Sequence, residues 1–338
     1  MDFALTEDQA GLKAAARTYL EDTYGLERIA ALADDGGQDL AAWPELVRQG
    51  WLDPDLGLAE FVLLAEEGGR ALHPVPWFAT AARALPVYQA AGVALPGPAT
   101  LADGSTTCRA TRRDGGWRLD GAVQAVLHAD VATEIVVAAR TPAGVALFGV
   151  GPDAASVSTR TGVDPLRMTS DVALAGAEGR LLAGPPSAAP LLTAIRGRAT
   201  TLLAGEAIGV ADRALEIAVG HAKTRTQFDR SIGSFQAVSQ QLADGYAEVE
   251  LARSLAYRAA VVPQDGGPAA TEAIACAAHA ASRAAISVCE TAIQVCGGMG
   301  VTWEFPLHRW FRRALWLEAE LAGGPLEAIA HSLFGEHS

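Results

Sequence analysis

Arg225-Thr226-Gln227-Phe228-Asp229-Arg230-Ser231-Ile232-Gly233-Ser234-Phe235-Gln236 interrupts the longest stretch of helix-periodic sequence in the chain. On both sides of it apolar residues return at three- and four-residue steps, the spacing that lines one face of a helix. This predicts helices over about 190–222 and 235–261. The same pattern continues over about 269–295 and 306–321, with a short helix near 326–334. Gln264-Asp265-Gly266-Gly267-Pro268 and Gly297-Gly298-Met299-Gly300 supply turns between them. Four long helices joined by short connections predict an antiparallel four-helix bundle.

Upstream, residues 96–185 change character: Val, Thr, Gly and Pro rise and the apolar runs shorten. Gly116-Trp117-Arg118-Leu119-Asp120-Gly121 alternates and closes on a turn signal. Residues 134–139 and 145–150 flank Thr141-Pro142-Ala143-Gly144 and read as a hairpin. Residues 172–182 supply one more strand, and Gly184-Pro185-Pro186 is the exit from a small, mostly antiparallel β domain.

Residues 1–95 read as helical. Thr6-Glu7-Asp8-Gln9 is a capping box, followed by Leu12, Ala16, Tyr19 and Leu20 at helical spacing. A second helix covers 40–49 and closes at Gly50; a third covers 58–72 and stops before His73-Pro74-Val75-Pro76. Glu66 and Glu67 are expected on its solvated face. The expected organisation is an N-terminal helical domain (1–95), a middle β domain (96–185) and a C-terminal four-helix bundle (186–338), mostly α overall.

The chain has 338 residues, half of them hydrophobic, enough for a large core. Its 26 basic and 39 acidic residues leave a formal charge of −13, against nucleic-acid binding, which needs a basic surface. A local arginine cluster can still hold an anionic cofactor. No apolar run approaches the ~18 residues of a membrane span, so no membrane association is expected. The opening Met1-Asp2-Phe3-Ala4-Leu5-Thr6-Glu7 lacks the basic region of a secretory signal. Cys108, Cys276, Cys289 and Cys296 show no metal-type spacing, so no metal site is expected. They read as reduced thiols of a cytoplasmic protein.

The loop 225–236 combines a planar cation, an aromatic ring and an amide. Arg225 can grip a phosphate through two parallel donors, Phe228 can cover an aromatic base, and Gln236 can bond a polar edge. The same arginine can equally serve as a cation at a helix C-terminus. Gln294-Val295-Cys296-Gly297-Gly298-Met299-Gly300-Val301-Thr302-Trp303-Glu304-Phe305-Pro306 follows a helix, not a strand, so it is not a Rossmann turn. Its glycines either only end the helix or also bare backbone amides to a ligand.

In order and spacing, these two segments resemble the acyl-CoA dehydrogenases. Asp2-Phe3-x-Leu5-Thr6-x-x-Gln9 looks like the family's start, and Glu66-Glu67-Gly68-Gly69-Arg70-Ala71-Leu72-x-Pro74 is similar to its third-helix signature. The helix–β–helix plan agrees. The resemblance implies a FAD enzyme in which a glutamate removes the α-proton of an acyl-CoA while hydride leaves the β-carbon. Electron-transfer flavoprotein is the implied acceptor. It also implies that Arg225, Phe228, Gln236, Gln294, Gly297 and Gly298 contact the pyrophosphate and adenine end of a FAD bound mainly by another chain.

The chain departs from the family at the chemistry. Where the family shows Trp-Ile-Thr against the flavin ring, this chain reads Ala125-Val126-Leu127, and 96–107 holds nothing like the upstream Thr-Glu-Pro segment. The base position after Arg312-Arg313-Ala314 falls at Leu321, and the alternative base position falls at Ala199. Alkyl side chains accept no proton. Glu320 lies one residue away, about 100° around a helix. Glu206 lies in an apolar stretch, as a base with a raised pKa or as the core partner of an arginine.

Retaining the donated half of the cofactor site and losing the reacting half resembles the short subunits of heteromeric α2β2 acyl-CoA dehydrogenases of actinobacterial steroid side-chain breakdown. Leu321-Ala322-Gly323-Gly324-Pro325 resembles their ending. Three readings follow. The chain is a non-catalytic subunit completing a homologous partner's FAD site, and by the same resemblance a sterol-derived acyl-CoA is the complex's substrate. Or it is a complete homotetramer using Glu320 or Glu206. Or it is a flavin-free scaffold.

Overall fold

The computed structural model describes residues 5–113, 115–262, 267–323 and 325–334. Asp2, Phe3, the turn residues 264–266 and Gly324 lie outside these residues. The fold is mostly α, as the sequence pattern predicts. The chain packs into two compact units: Met1–Ala31, Leu56–His73 and Thr200–Ser338 in one, Leu32–Asp55 and Pro74–Ala199 in the other.

The first unit is helical. α1 (Glu7–Thr23) starts at the capping box: the Thr6 hydroxyl accepts from Gln9 N–H while the Gln9 side chain accepts from Thr6 N–H. α4 (Leu58–Arg70) packs along α1. Then come α6 (Ala188–Thr224), which belongs to this unit from Thr200 onward, α7 (Gln236–Val261), α8 (Pro268–Cys296), α9 (Leu307–Leu321) and α10 (Pro325–Phe334), each within a few residues of its sequence-based range. α6 passes α4 with backbone almost touching backbone. A Cβ on Gly209 would lie 1.8 Å from the Glu66 carbonyl oxygen, and one on Gly69 2.1 Å from that of Glu206.

That approach explains a correction. Glu66 and Glu67 are not on a solvated face: they are 0% and 1% exposed. The apolar run 61–65 and the two glycines that follow sink α4 on every side, and bases from neighbouring helices reach in to the carboxylates. Glu66 accepts from Lys13 Nζ (2.8 Å), Arg253 Nε (2.9 Å) and the Tyr257 hydroxyl (2.7 Å). Glu67 takes two bonds from Arg17, at 2.8 and 2.9 Å. Burial raises the Glu66 pKa, but Lys13 and Arg253 more than offset it and hold the carboxyl below its usual range.

α8 is a second correction. Among the described residues, Pro268–Val301 is apolar enough, by length and composition, to cross a membrane. Its apolarity is largely alanine, and Ala273, Ala277, Ala281, Ala284 and Ala285 are buried against other helices of this unit.

The second unit contains α3 (Trp43–Arg48), α5 (Leu85–Ala91) and a seven-stranded sheet. α2 (Leu26–Asp34), a short helix with no counterpart among the sequence-based elements, straddles the two units along the chain. The strands are β1 (Ala99–Asp103), β2 (Arg109–Arg113), β3 (Gly116–Leu127), β4 (Glu134–Thr141), β5 (Gly144–Val150), β6 (Ser156–Arg160) and β7 (Thr169–Ala183). β4–β2–β3–β7–β5 closes back on β4, around a core that includes Leu119, Ile135, Val137 and Phe148. The β4–β5 hairpin turns at Pro142-Ala143. Gly121 does not end a strand: β3 runs through it at φ +138°, beside a register shift against β7, because a bulge lets the strand bend without stopping.

Candidate functional site

All six residues named for cofactor binding lie on the helical unit, and all six are exposed. Arg225 follows the last residue of α6. Its N–H donates to His221 O and its carbonyl accepts from Ile232 N–H, so it closes a small hairpin of β8 (Thr226–Gln227) and β9 (Arg230–Ser231). Phe228 and Asp229 form the two-residue tip, both left-handed at φ +53° and +61°. This conformation is unusual for side-chain-bearing residues and suits a tight hairpin turn. It lifts the Phe228 ring into solvent, 86% exposed. Phe228 meets Phe235 edge to face at 6.1 Å, and the Arg230 guanidinium lies 3.9 Å from the Phe235 ring centre.

Gln236 is the first residue of α7; Gln294 is in the last turn of α8. Gly245 packs against Val288, and Arg258 pairs with Glu272 at 3.2 Å. These contacts set α7 and α8 antiparallel, in a register that brings Gln236 level with Gln294–Gly297. The two segments quoted from the sequence therefore meet at one end of the helix pair. Gly297, at φ +62°, breaks α8 into the 3₁₀ turn Gly297–Val301. A Cβ at Gly297 or Gly298 would meet nothing within 4 Å, so a ligand can approach this backbone directly.

This donor set fits the dinucleotide end of a flavin cofactor: a guanidinium for phosphate, a bare aromatic ring for a base, two carboxamides and open backbone. The sequence-aligned ring-side segment does not fit. Ala125 is left-handed at φ +54° with its N–H donated to Asp171 Oδ1 (3.1 Å), and the Val126 and Leu127 side chains are buried. That segment offers neither an aromatic wall nor a hydroxyl.

Leu321 is 4% exposed, and Ala199 is also buried. Glu320, one helical step from Leu321, is on the exposed side of α9. Glu206 is 3% exposed and forms an ion pair with Arg313, which is 0% exposed. A carboxylate held by a guanidinium in the core is not presented to a ligand. Among the described residues no cluster of His, Cys, Asp or Glu is placed to hold a metal ion. Arg230, absent from the sequence-based site, stacks inside it. Its signal was present as a cation five residues before an aromatic.

Residues 196–329 match the family model described as acyl-CoA dehydrogenase, C-terminal domain. The acyl-CoA dehydrogenase IpdE2 of Mycobacterium tuberculosis H37Rv is 34% identical over 310 residues, 89% of this chain and 88% of the relative. In the ChsE4-ChsE5 complex from Mycobacterium tuberculosis, one chain matches with a TM-score of 0.87 at 28% identity, covering 100% of both. A chain of the Tcur3481-Tcur3483 steroid ACAD, solved as a variant, matches with a TM-score of 0.84 at 29% identity, covering 97% of this chain and 98% of that one.

Proposed function

The chain belongs to the acyl-CoA dehydrogenase family, and from that membership we propose that it is the non-catalytic subunit of a heteromeric enzyme. It completes the FAD site of a homologous partner. When bound, FAD supplies the hydride acceptor for α,β-dehydrogenation of an acyl-CoA thioester. This chain's part is to bind and orient. The Arg225 guanidinium neutralises the pyrophosphate through paired N–H donors, Phe228 stacks on the adenine, and Gln236, Gln294 and the Gly297–Gly298 backbone bond the polar edges. The partner contributes the flavin-ring pocket and the carboxylate base.

One observation carries this reading. The adenine-side set is intact, exposed and gathered at one helix end, while both base positions hold buried alkyl side chains. A surface built to bind yet open on its outer side needs a second chain to close it. The outer face of the first half of α7, with Tyr246 58% exposed, offers that chain a docking surface. Similarity to a chain of a solved two-protein complex supports an α2β2 assembly. Similarity to a steroid ACAD supports a sterol-derived acyl group. Electron-transfer flavoprotein is the proposed acceptor and the cytoplasm the proposed location.

A visible spectrum tests it. The chain purified alone should carry little flavin and dehydrogenate nothing. Purified with a homologous dehydrogenase subunit, it should yield one FAD per pair of chains and activity. Full flavin occupancy with turnover in the lone chain would overturn the reading in favour of a complete homotetramer. An inert, flavin-free complex would leave only the scaffold.

A further inference from the structure

The β8–β9 hairpin brings a second guanidinium beside that of Arg225. Gln227 pairs with Arg230 and Thr226 with Ser231, and the bond from Ile232 N–H to the Arg225 carbonyl (2.9 Å) adds one more rung. In an antiparallel ladder, side chains of paired residues lie on the same face, and faces alternate along each strand. Arg225, Gln227, Arg230 and Ile232 therefore share one face, with Thr226 and Ser231 on the other. Arg225 and Arg230 are diagonal neighbours there, a relation that sets residues roughly 7–8 Å apart, within reach of long side chains.

Arg230 is oriented but unspent. Its guanidinium lies 3.9 Å from the centre of the Phe235 ring, and Phe228 meets that ring edge to face. Stacking occupies the flat face of a guanidinium and leaves its N–H edge bare. Among the described residues neither Arg225 nor Arg230 has a side-chain hydrogen bond or a carboxylate partner, and Asp229, the one acid of the hairpin, pairs with neither. Each keeps its full set of N–H donors. Two unpaired cations on one face repel each other, and an anion between them removes that cost.

We propose that Arg230 is a second phosphate ligand, which closes with Arg225 on the diphosphate of the dinucleotide, one guanidinium to each phosphate. Phe235 sets its angle. The same ring braces Phe228, so the grip on the phosphates and the platform for the base move as one unit. The proposal rests on the reading of this end as a FAD site and deepens it: the hairpin selects a diphosphate over a single phosphate, because one arginine alone leaves the second phosphate without a counter-charge.

Calorimetric titration of the complex of this chain with a homologous dehydrogenase subunit, freed of flavin, tests it with FAD, ADP and AMP. ADP should bind the parent at least about tenfold more tightly than AMP, because ion-paired hydrogen bonds to a guanidinium are the stronger kind. Arg230→Gln should weaken ADP and FAD about tenfold and AMP less than about twofold, erasing the preference. Arg230→Lys keeps the charge and should restore part of it. Arg230 is exposed, so both variants should keep the parent's circular dichroism. No preference for ADP in the parent, or equal weakening of ADP and AMP by Arg230→Gln, as expected of a residue that only props the rings, would overturn the proposal. Arg225→Ala separates the two readings. If it weakens FAD and Arg230→Gln does not, this proposal fails alone; if neither variant changes FAD binding, or the complex takes up no FAD, the cofactor-site reading fails with it.

Discussion

Arg225 and Arg313 belong to the same helical unit and do opposite work. Arg313 is sealed in the core against Glu206, while Arg225 ends a helix with its side chain in solvent. The glycines divide the same way. Gly209 exists because another backbone lies where its Cβ would be; Gly297 faces open space. The contrast separates folding from binding. Charges and glycines buried around α4 and α6 specify how the helices meet, and those beside the start of α7 and the end of α8 are exposed, as the proposed cofactor role requires. Substitutions in the first set should act on stability, and in the second on cofactor retention alone.

The largest expected effect would come from Glu206→Ala, which removes the carboxylate that faces the buried Arg313 guanidinium. Breaking one side of a buried pair costs about 3–5 kcal/mol, visible as a lower urea midpoint; an unchanged midpoint would erase the distinction. Gly209→Ala should follow, at about 1–3 kcal/mol or more, because the added methyl cannot fit against the Glu66 carbonyl. Gly298→Ala, in the open site, should leave the midpoint where it is.

Arg225→Ala sharpens the other side. Folding should change by no more than about 0.5 kcal/mol. Flavin retention by the complex should fall at least about tenfold, in line with about 1.5–3 kcal/mol for a hydrogen bond to a charged group. Retention equal to the parent's would remove Arg225 from the site.

Acid should discriminate as well. Glu66 titrates below its unfolded value, so its contribution is present above about pH 4.5 and disappears as pH falls through the lower, folded-state value. Urea midpoints measured from pH 7 to 3 should fall more steeply for the parent than for Glu66→Gln; parallel curves would refute that assignment. A modest effect on folding is expected at the N-terminus of α1: Thr6→Ala removes a capping hydroxyl and should cost about 1 kcal/mol by the same measurement.

The legible parts of the chain were those with long-range periodicity. α6 to α10 follow from apolar spacing over ten or more residues, and the β4–β5 hairpin follows from two apolar runs around Pro142-Ala143. β1, β2 and β6 are five residues each, and β2 reads Arg-Ala-Thr-Arg-Arg with only Ala110 buried. So short and polar a strand is defined by its neighbours' hydrogen bonds and leaves little local pattern. The candidate residues were nameable together because Arg225 and Phe228 stand in one short connection that ends where Gln236 opens α7. Arg230 was missed because its ring partner, Phe235, is reached only once the hairpin folds back.

Periodicity, capping residues and a rare loop composition are local properties, and from them the sequence alone determined the helices, the hairpin and the family. Burial is not local. That Glu66 and Glu67 sit in the core, that Glu206 belongs to Arg313, and that Gln236 comes level with Gln294 were decided only by the packing of α4, α6, α7, α8 and α9. The reason is electrostatic and steric. A carboxylate can leave water only when cations from distant segments arrive with it. Two helices can approach this closely only where both carry glycine at the crossing, and neither condition is written within a helical turn of the residue it governs.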